Sequence, residues 1–92
     1  MNHTIHCRIH GLVQGVSFRY YTQKKAQDLD LIGWVRNCPD GTVEVFAAGP
    51  EAAIEQMKLF LSEGSPMARV DKVEPLSTTE TNTVPDEFII RR

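Results

Sequence analysis

The spacing of the apolar residues changes repeatedly along this chain and restricts the folds that it can adopt. Residues 4–10 alternate strictly between polar and apolar side chains, which is typical of a strand with one buried face. From Phe18 to Leu29 the apolar residues recur at helical spacing, which predicts an amphipathic helix. The remaining predicted elements are strands at residues 31–37, 42–48 and 68–73 and a helix that starts at Pro50 and stops at Gly64.

The predicted order is therefore β-α-β-β-α-β, the arrangement of ferredoxin-like folds. Because a strand–helix–strand crossover is right-handed, both helices should cover one face of a mainly antiparallel sheet. The alternation at residues 68–73 is imperfect, which suggests a bulge. Residues 77–87 form a polar loop, and residues 88–90 can add a short closing strand. We therefore predict an α+β fold, a ferredoxin-like α/β sandwich to which a short C-terminal strand can be added.

Size and charge narrow the class of protein. At 92 residues and 10.4 kDa the chain has room for one domain, which we expect to span residues 1–92. The formal net charge of −2 argues against nonspecific binding to nucleic acid or anionic membranes. No apolar run is long enough for a membrane span, and the N-terminal residues do not resemble a signal peptide. We therefore expect a cytoplasmic protein whose two cysteines, Cys7 and Cys38, are free.

The segment between the first strand and the first helix is the most informative for function. Residues 11–19 read GLVQGVSFR, a glycine-bearing loop before a helix N-terminus, with Ser17 as the predicted N-cap. Successive backbone N–H groups in such a loop can form an anion-binding concavity, which the positive end of the helix dipole strengthens. Arg19 lies in the first helical turn, where a cation is unfavourable unless an anion is bound beside it. Its guanidinium can hold two phosphate oxygens.

Spacing alone leaves other interpretations of these residues open. The glycines can be ordinary turn residues, and Arg19 can be a surface arginine. Asn37, which precedes a CPDG turn, can cap that turn or hold a water molecule. The loop is not a Walker loop, since no Gly-Lys-Ser/Thr follows it. It is not a Cys-x5-Arg phosphatase loop either, since Val13 stands where the cysteine would be. The first strand contains three histidines, and no further ligand or carboxylate cluster beside them indicates a metal site.

Three segments of the chain resemble the acylphosphatase family. Residues 11–19 closely resemble its G-x-V-Q-G-V-x-F-R signature. Residues 33–44, which read GWVRNCPDGTVE, resemble the second signature nearly residue for residue. Residues 64–70 resemble the segment that follows the second helix of the family. The likeness runs from the first strand to about Val73 in the expected order and spacing.

The resemblance implies a ferredoxin-like enzyme that hydrolyses acyl phosphates to a carboxylate and inorganic phosphate, with no metal or other cofactor. Arg19 then takes the phosphate-binding role, and Asn37 orients the water that attacks in line. The backbone of the loop completes the phosphate cradle, which consists of Gln14, Gly15, Val16, Ser17 and Phe18.

The resemblance also implies the partners of the protein. The substrate is a small-molecule acyl phosphate, inorganic phosphate is product and competitive inhibitor, and neither nucleic acid nor a membrane is involved. Family members are typically small cytosolic monomers. Two alternatives remain. One is a noncatalytic ferredoxin-like module that binds phosphate or regulates through it. The other is a domain like the carbamoyl-phosphate-handling one of hydrogenase maturation proteins. Release of phosphate from benzoyl phosphate distinguishes an enzyme from the binding module.

Overall fold

The computed structural model of this chain describes residues 3–76 and 85–91. Within these ranges the backbone forms five strands and two helices in the order β1-α1-β2-β3-α2-β4-β5. The predicted order is confirmed, including the closing strand, while residues 77–84 of the predicted polar loop lie outside the described residues. The elements are β1 His3–Leu12, α1 Phe18–Asp28, β2 Ile32–Asn37, β3 Val43–Gly49, α2 Glu51–Glu63, β4 Arg69–Pro75 and β5 Phe88–Arg91.

The strands in this part of the chain form one sheet in the order β4-β1-β3-β2-β5. β1 pairs antiparallel with β3 and with β4, and β2 pairs antiparallel with β3. β5 lies parallel to β2 at the edge of the sheet, with Phe88 opposite Gly33. The fold is therefore the predicted ferredoxin-like one, extended by one parallel strand. The end of β5 lies beside the N-terminus of α1, since Arg19 Nη1 donates to the backbone oxygen of Arg91 at 3.4 Å.

Both helices pack against the same face of the sheet, as predicted. Alternate strand residues point towards the helices, and their burial excludes water from one continuous core. Each fully buried aliphatic or aromatic side chain of this kind stabilises the fold by roughly 1.5–3 kcal/mol. The buried core residues are Cys7, Ile9, Val35, Val43, Val45, Ala47 and Phe88 from the strands, Phe18, Ala26, Ile54, Met57 and Leu61 from the helices, and Val13 and Leu31 from the loops.

The other face of the sheet carries an aromatic cluster. Trp34 stands opposite Phe46 in the register of β2 and β3, and the two rings stack with their centroids 6.2 Å apart. The guanidinium carbon of Arg91 lies 4.9 Å from the centroid of the Trp34 ring, within the range of a cation–π contact. The side chain of Arg91 is therefore engaged on the face of the sheet that lies away from the helices.

The pairing of β1 with β4 contains the predicted irregularity. His10 stands opposite Lys72, whereas Gly11 stands opposite Val70, so that Asp71 is the extra residue of a bulge. A bulge of this kind reverses the alternation of side chains along the strand, which explains the imperfect pattern in the sequence.

The start of α2 differs from the prediction by one residue. Pro50 has extended backbone angles, φ −61° and ψ 150°, and the helix begins at Glu51. Pro50 therefore precedes the helix instead of forming its first turn. Neither helix in the described ranges is long and apolar enough to cross a membrane.

Candidate active site

The loop between β1 and α1 has a strained backbone. Gly15 has φ 77° and Ser17 has φ 62°, so both residues lie in the left-handed region. Glycine adopts this region freely, whereas serine there costs about 1–2 kcal/mol. Ser17 precedes α1 as predicted, but its side chain makes no capping hydrogen bond. A capping side chain normally reaches the helix amides from the extended region, which Ser17 does not occupy.

The amides of this loop are available to a ligand. In the described part of the chain, the backbone N–H groups of Gly15, Val16 and Ser17 donate no hydrogen bond. The N-terminal amides of α1 carry partial positive charge and also lack a side-chain cap. Unpaired donors at a helix N-terminus form a favourable place for an anion.

A cavity of about 320 Å³ lies at this end of α1. Gly15, Ser17 and Arg19 line it from the loop and the first helical turn, and Asn37 lines it from the end of β2. Because glycine has no side chain, Gly15 faces the cavity with its backbone. Arg19 and Asn37, the two residues to which the resemblance assigned catalytic roles, therefore line the same cavity. The other lining residues are mainly apolar: Val13, Phe18, Tyr20 and Ile90.

Asn37 carries an unpaired buried oxygen. Its Oδ1 atom is shielded from solvent and has no hydrogen-bond partner among residues 3–76 and 85–91. An unpaired buried carbonyl oxygen costs roughly 1–3 kcal/mol, so each such atom in a folded protein requires an explanation. Since Asn37 lines the cavity, a bound water molecule or a ligand that donates to Oδ1 would supply the missing partner.

The turn after Asn37 is capped by a different residue. The Asp40 carboxylate accepts hydrogen bonds from the Thr42 backbone N at 3.1 Å and from Thr42 Oγ1 at 2.6 Å. These hydrogen bonds hold the pKa of Asp40 below its ordinary value. Gly41, with φ 92°, supplies the positive backbone angle of the turn. The turn-capping interpretation of Asn37 is therefore wrong, because Asp40 fulfils that role.

Gln14 connects the loop to this turn. Its Nε2 atom donates to the backbone oxygen of Cys38 at 2.8 Å and to that of Thr42 at 2.9 Å. Neither Gln14 nor Val16 lines the cavity, and the Val16 carbonyl accepts a hydrogen bond from Ser65 Oγ at 3.3 Å. The resemblance assigned the backbone of Gln14 to the phosphate cradle, and the structure shows in addition that its side chain braces the loop against the turn. Sequence reasoning missed this role because the partners are 24 and 28 positions away.

Arg19 is half-buried and has no carboxylate partner among residues 3–76 and 85–91. Its Nη1 atom donates to the backbone oxygen of Arg91 in β5 at 3.4 Å, a long and therefore weak hydrogen bond. None of the salt bridges among the described residues involves Arg19. A guanidinium in the first turn of a helix opposes the helix dipole, so its position is favourable only when an anion lies beside it.

The ionisable network of the sheet does not reach this cavity. His6 Nε2 lies 2.5 Å from Glu44 Oε2, and Arg36 donates to Glu44 Oε1 at 2.6 Å. Burial raises the pKa of Glu44, but the hydrogen bonds from His6 and Arg36 outweigh burial and hold it below the ordinary value. Across residues 3–76 and 85–91 no group of three or more His, Cys, Asp or Glu side chains could hold a metal ion.

The two cysteines are free, as predicted, and both are buried. Burial, and to a smaller extent the charge of Glu44, raises the pKa of Cys7 to about 12. A thiol with this pKa stays protonated near neutral pH and is not a nucleophile.

Comparisons with known proteins agree with one another. The family model described as Acylphosphatase matches residues 5–90. An acylphosphatase of Synechococcus sp. (strain RCC307) is 46% identical over 84 residues, which cover 91% of this chain and 70% of that protein. The crystal structure of acylphosphatase from Bacillus subtilis is similar over the whole of both chains, with a TM-score of 0.88 and 34% identity. The crystal structure of T. kodakarensis HypF is similar with a TM-score of 0.81 and 29% identity, over all of this chain and 12% of that one.

Proposed function

The chain belongs to the acylphosphatase family, and on this basis we propose that Arg19, Asn37 and the loop before α1 carry out its hydrolysis of acyl phosphates. In this reaction the water oxygen forms a bond to phosphorus, and the bond between phosphorus and the acyl oxygen breaks. The products are a carboxylate and inorganic phosphate.

Arg19 and the loop amides hold the phosphoryl group. The planar guanidinium donates to two phosphate oxygens, and the N–H groups of Gly15 and Ser17 donate to the others. Phosphoryl transfer depends mainly on the positioning of the reactants and on neutralisation of the equatorial oxygens. Two observations support this assignment: Arg19 forms no ion pair within the described residues, and the loop amides donate to no other described group.

Asn37 holds the attacking water. Its Oδ1 atom accepts a hydrogen bond from the water and so fixes the water oxygen in line with the bond that breaks. This role gives the buried oxygen the donor that the described residues do not provide.

The reaction needs no further acid or base from the cavity. The leaving carboxylate is a weak base, so it departs without a proton from a general acid. The proton of the attacking water passes to a phosphate oxygen. The described residues that line the cavity include neither a histidine nor a carboxylate, which agrees with this route.

The observation that carries the proposal is the unpaired Oδ1 of Asn37 in a cavity that also contains Arg19. Each feature alone has an ordinary structural explanation. Together they supply one group for the anion and one for the water, from two residues that line the same cavity.

Release of phosphate from benzoyl phosphate by the purified protein tests the proposal directly. We expect turnover in the presence of a chelator and competitive inhibition by inorganic phosphate. Binding of phosphate without release from benzoyl phosphate would instead indicate the noncatalytic binding module. Loss of turnover on addition of the chelator would contradict a mechanism that uses only these side chains and amides.

We also infer that one copy of the chain is the catalytic unit and that residues 1–92 act as a single domain. Arg19, Asn37, Gly15 and Ser17, the residues assigned to the reaction, line one cavity. Light scattering on the active protein should therefore give a mass near 10.4 kDa. Activity that depends on protein concentration in the manner of a dimer would contradict this inference.

A further inference from the structure

The segment that follows α2 contacts the anion-binding loop from outside the cavity. Gly64 closes the helix, since its N–H donates to the backbone oxygen of Phe60 at 2.7 Å. The next residue, Ser65, is buried, with 3% of its surface exposed. It does not line the cavity at the N-terminus of α1. Any effect of Ser65 on a bound anion must therefore pass through a residue of the loop.

The hydroxyl of Ser65 makes such a contact. It donates to the backbone oxygen of Val16 at 3.3 Å. This distance is long for an O–H···O hydrogen bond, but a buried hydroxyl depends on the partner that it has. The backbone of Ser65 is held separately, because its carbonyl accepts a hydrogen bond from the Ala68 N–H at 3.0 Å. The stacked rings of Phe18 and Phe60, with centroids 6.2 Å apart, join the start of α1 to the end of α2.

This hydrogen bond fixes the direction of the next amide in the loop. The Val16 carbonyl and the Ser17 N–H belong to one planar trans peptide unit, so the two groups point in opposite directions. Because the carbonyl is directed at Ser65, the Ser17 N–H points away from Ser65. Ser17 lines the cavity and Ser65 does not. The observed direction is therefore the one in which the amide can reach a bound anion.

The orientation of this peptide unit is strained at Ser17, whose φ is 62°. Rotation of the unit by half a turn would return φ to the negative values that serine prefers. The rotation would also direct the Val16 oxygen, in place of the Ser17 N–H, towards the cavity, and a carbonyl oxygen repels an anion. The Ser65 hydroxyl opposes the rotation, because it binds the carbonyl in the strained orientation.

We propose that Ser65 is a positioning residue of the active site, whose hydroxyl holds the peptide unit between Val16 and Ser17 with its N–H directed at the phosphoryl group. This inference rests on the proposed function and adds to it a residue outside the cavity. The hydroxyl, the peptide unit and the anion form one chain of hydrogen bonds, in which each bond polarises the next. An anion on the Ser17 N–H makes the Val16 oxygen a stronger acceptor, so anion binding and the Ser65 contact reinforce each other.

Removal of the hydroxyl tests the proposal. Ser65→Ala should raise the inhibition constant of phosphate and lower kcat/KM for benzoyl phosphate, each by about tenfold, which is less than the ~10²–10³ expected when a preorganised donor is lost outright. Ser65→Thr keeps a hydroxyl and should restore most of both quantities. An unchanged inhibition constant in the Ser65→Ala variant, shown to be folded by urea denaturation, would overturn the proposal.

The matched control is Ser62→Ala. The exposed hydroxyl of Ser62 also donates to a backbone oxygen, that of Leu59 at 2.8 Å, but within α2. This variant should retain both the inhibition constant of phosphate and kcat/KM. A purely structural role of Ser65 would lower the free energy of unfolding of Ser65→Ala and leave the inhibition constant of phosphate as it is in the control.

Nuclear magnetic resonance provides a measurement on the Ser17 amide itself. In the unmodified protein, phosphate should shift the Ser17 amide resonance, and a strong nuclear Overhauser effect between the amide proton and Hα of Ser17 should report the positive φ. Both signals should weaken in Ser65→Ala and persist in Ser62→Ala. Absence of a phosphate-induced shift of Ser17 in the unmodified protein would overturn the inference even if Ser65→Ala does not fold.

The same measurements separate this inference from the proposed function. Hydrolysis of benzoyl phosphate by the unmodified protein, with equal kcat/KM and phosphate inhibition in folded Ser65→Ala, would refute the role of Ser65 and leave the proposed function intact. Absence of hydrolysis by the unmodified protein would refute the proposed function and this inference with it.

Discussion

The side-chain amide of Gln14 donates to the backbone oxygen of Cys38 at 2.8 Å and so ties the anion-binding loop to the residue that follows Asn37. The same Nε2 atom also donates to Thr42 on the far side of the turn. The Gln14 side chain thus joins the loop that precedes Arg19 to the turn that follows Asn37. The relative position of Arg19 and Asn37 therefore depends on a residue that does not line the cavity.

Replacement of Gln14 by Glu should separate the loop from the turn. The carboxylate cannot donate to the two backbone oxygens and repels them, so the free energy of unfolding should fall by roughly 2–3 kcal/mol. We expect kcat to fall as well, because the water and the phosphate lose their alignment. Urea denaturation and benzoyl phosphate turnover check both effects. Gln56→Glu, on the exposed side of α2, is the matched control and should change neither quantity.

Replacement of Arg19 by Ala should remove the anion-binding charge. We expect kcat/KM to fall by about 10²–10³, with loss of inhibition by phosphate. Arg19→Lys should give an intermediate value, because an ammonium keeps the charge but not the bidentate geometry. Arg69→Ala serves as control, since the Arg69 side chain is 77% exposed and pairs with Asp71 at the surface. Equal phosphate inhibition of the Arg19→Ala variant and the unmodified protein would contradict the assignment.

Replacement of Asn37 by Ala should affect turnover without affecting phosphate binding. The variant loses the group that orients the water, so kcat should fall by about 10², while the inhibition constant of phosphate stays the same. Because Oδ1 has no partner within the described residues, the free energy of unfolding should change by less than about 1 kcal/mol. A large loss of stability with normal kcat would show that Asn37 is structural. Measurement of kcat, the inhibition constant of phosphate and the free energy of unfolding together distinguishes this variant from Gln14→Glu.

The stability of the protein should decrease in acid in part through Glu44. Its pKa in the folded protein lies below the ordinary value of 4.5, because hydrogen bonds from His6 and Arg36 outweigh the effect of burial. The unfolded chain therefore binds this proton more strongly, so the stabilisation is complete above pH 4.5 and is lost as the pH falls through the folded-state pKa.

Glu44→Gln should flatten the dependence of unfolding free energy on pH below 4.5. Denaturation at a series of pH values measures the slope. Asp40 and Glu74 also have lowered pKa values, so part of the slope should remain in this variant. The control is Glu55→Gln, whose carboxylate lies on the surface of α2 in an exposed pair with Lys58. A slope that equals that of the control would contradict the role of Glu44.

Cys7 should be inert in the folded protein. Its thiol is buried, and its pKa of about 12 leaves almost no thiolate at pH 8. Iodoacetamide should therefore modify Cys7 only after denaturant is added, as peptide mass spectrometry can determine separately from Cys38. Modification of Cys7 in the native protein at the rate of a free peptide would refute this prediction.

Much of the fold could be predicted because the relevant signals are local. The alternation in β1 and the helical spacing in α2 each decide which face of an element is buried, whatever the rest of the chain does. The bulge at Asp71 was visible as a break in the alternation of its own strand. The parallel position of β5 beside β2 has no such local signal, because pairing depends on which edge of the sheet remains free.

The site was predictable only in part, because some of its contacts join residues that are distant in the sequence. The glycine-bearing loop and Arg19 lie within one short segment, so their relation to a helix N-terminus could be read directly. Asn37 was ambiguous on its own, and only the resemblance selected the water-binding role for it. The structure removes the competing role by showing that Asp40 caps the turn. The bracing by Gln14 depends on distant backbone oxygens and could not be inferred from residue types.

Because Ser17 has a left-handed backbone, selection for stability and selection for catalysis should favour different residues at position 17. Glycine there would relieve about 1 kcal/mol of strain, and no capping hydrogen bond would be lost with the hydroxyl. A library randomised at position 17 and screened for heat resistance should therefore enrich glycine. The same library screened for catalysis should reject it, because a more pliable chain at this point samples arrangements in which the amides no longer converge.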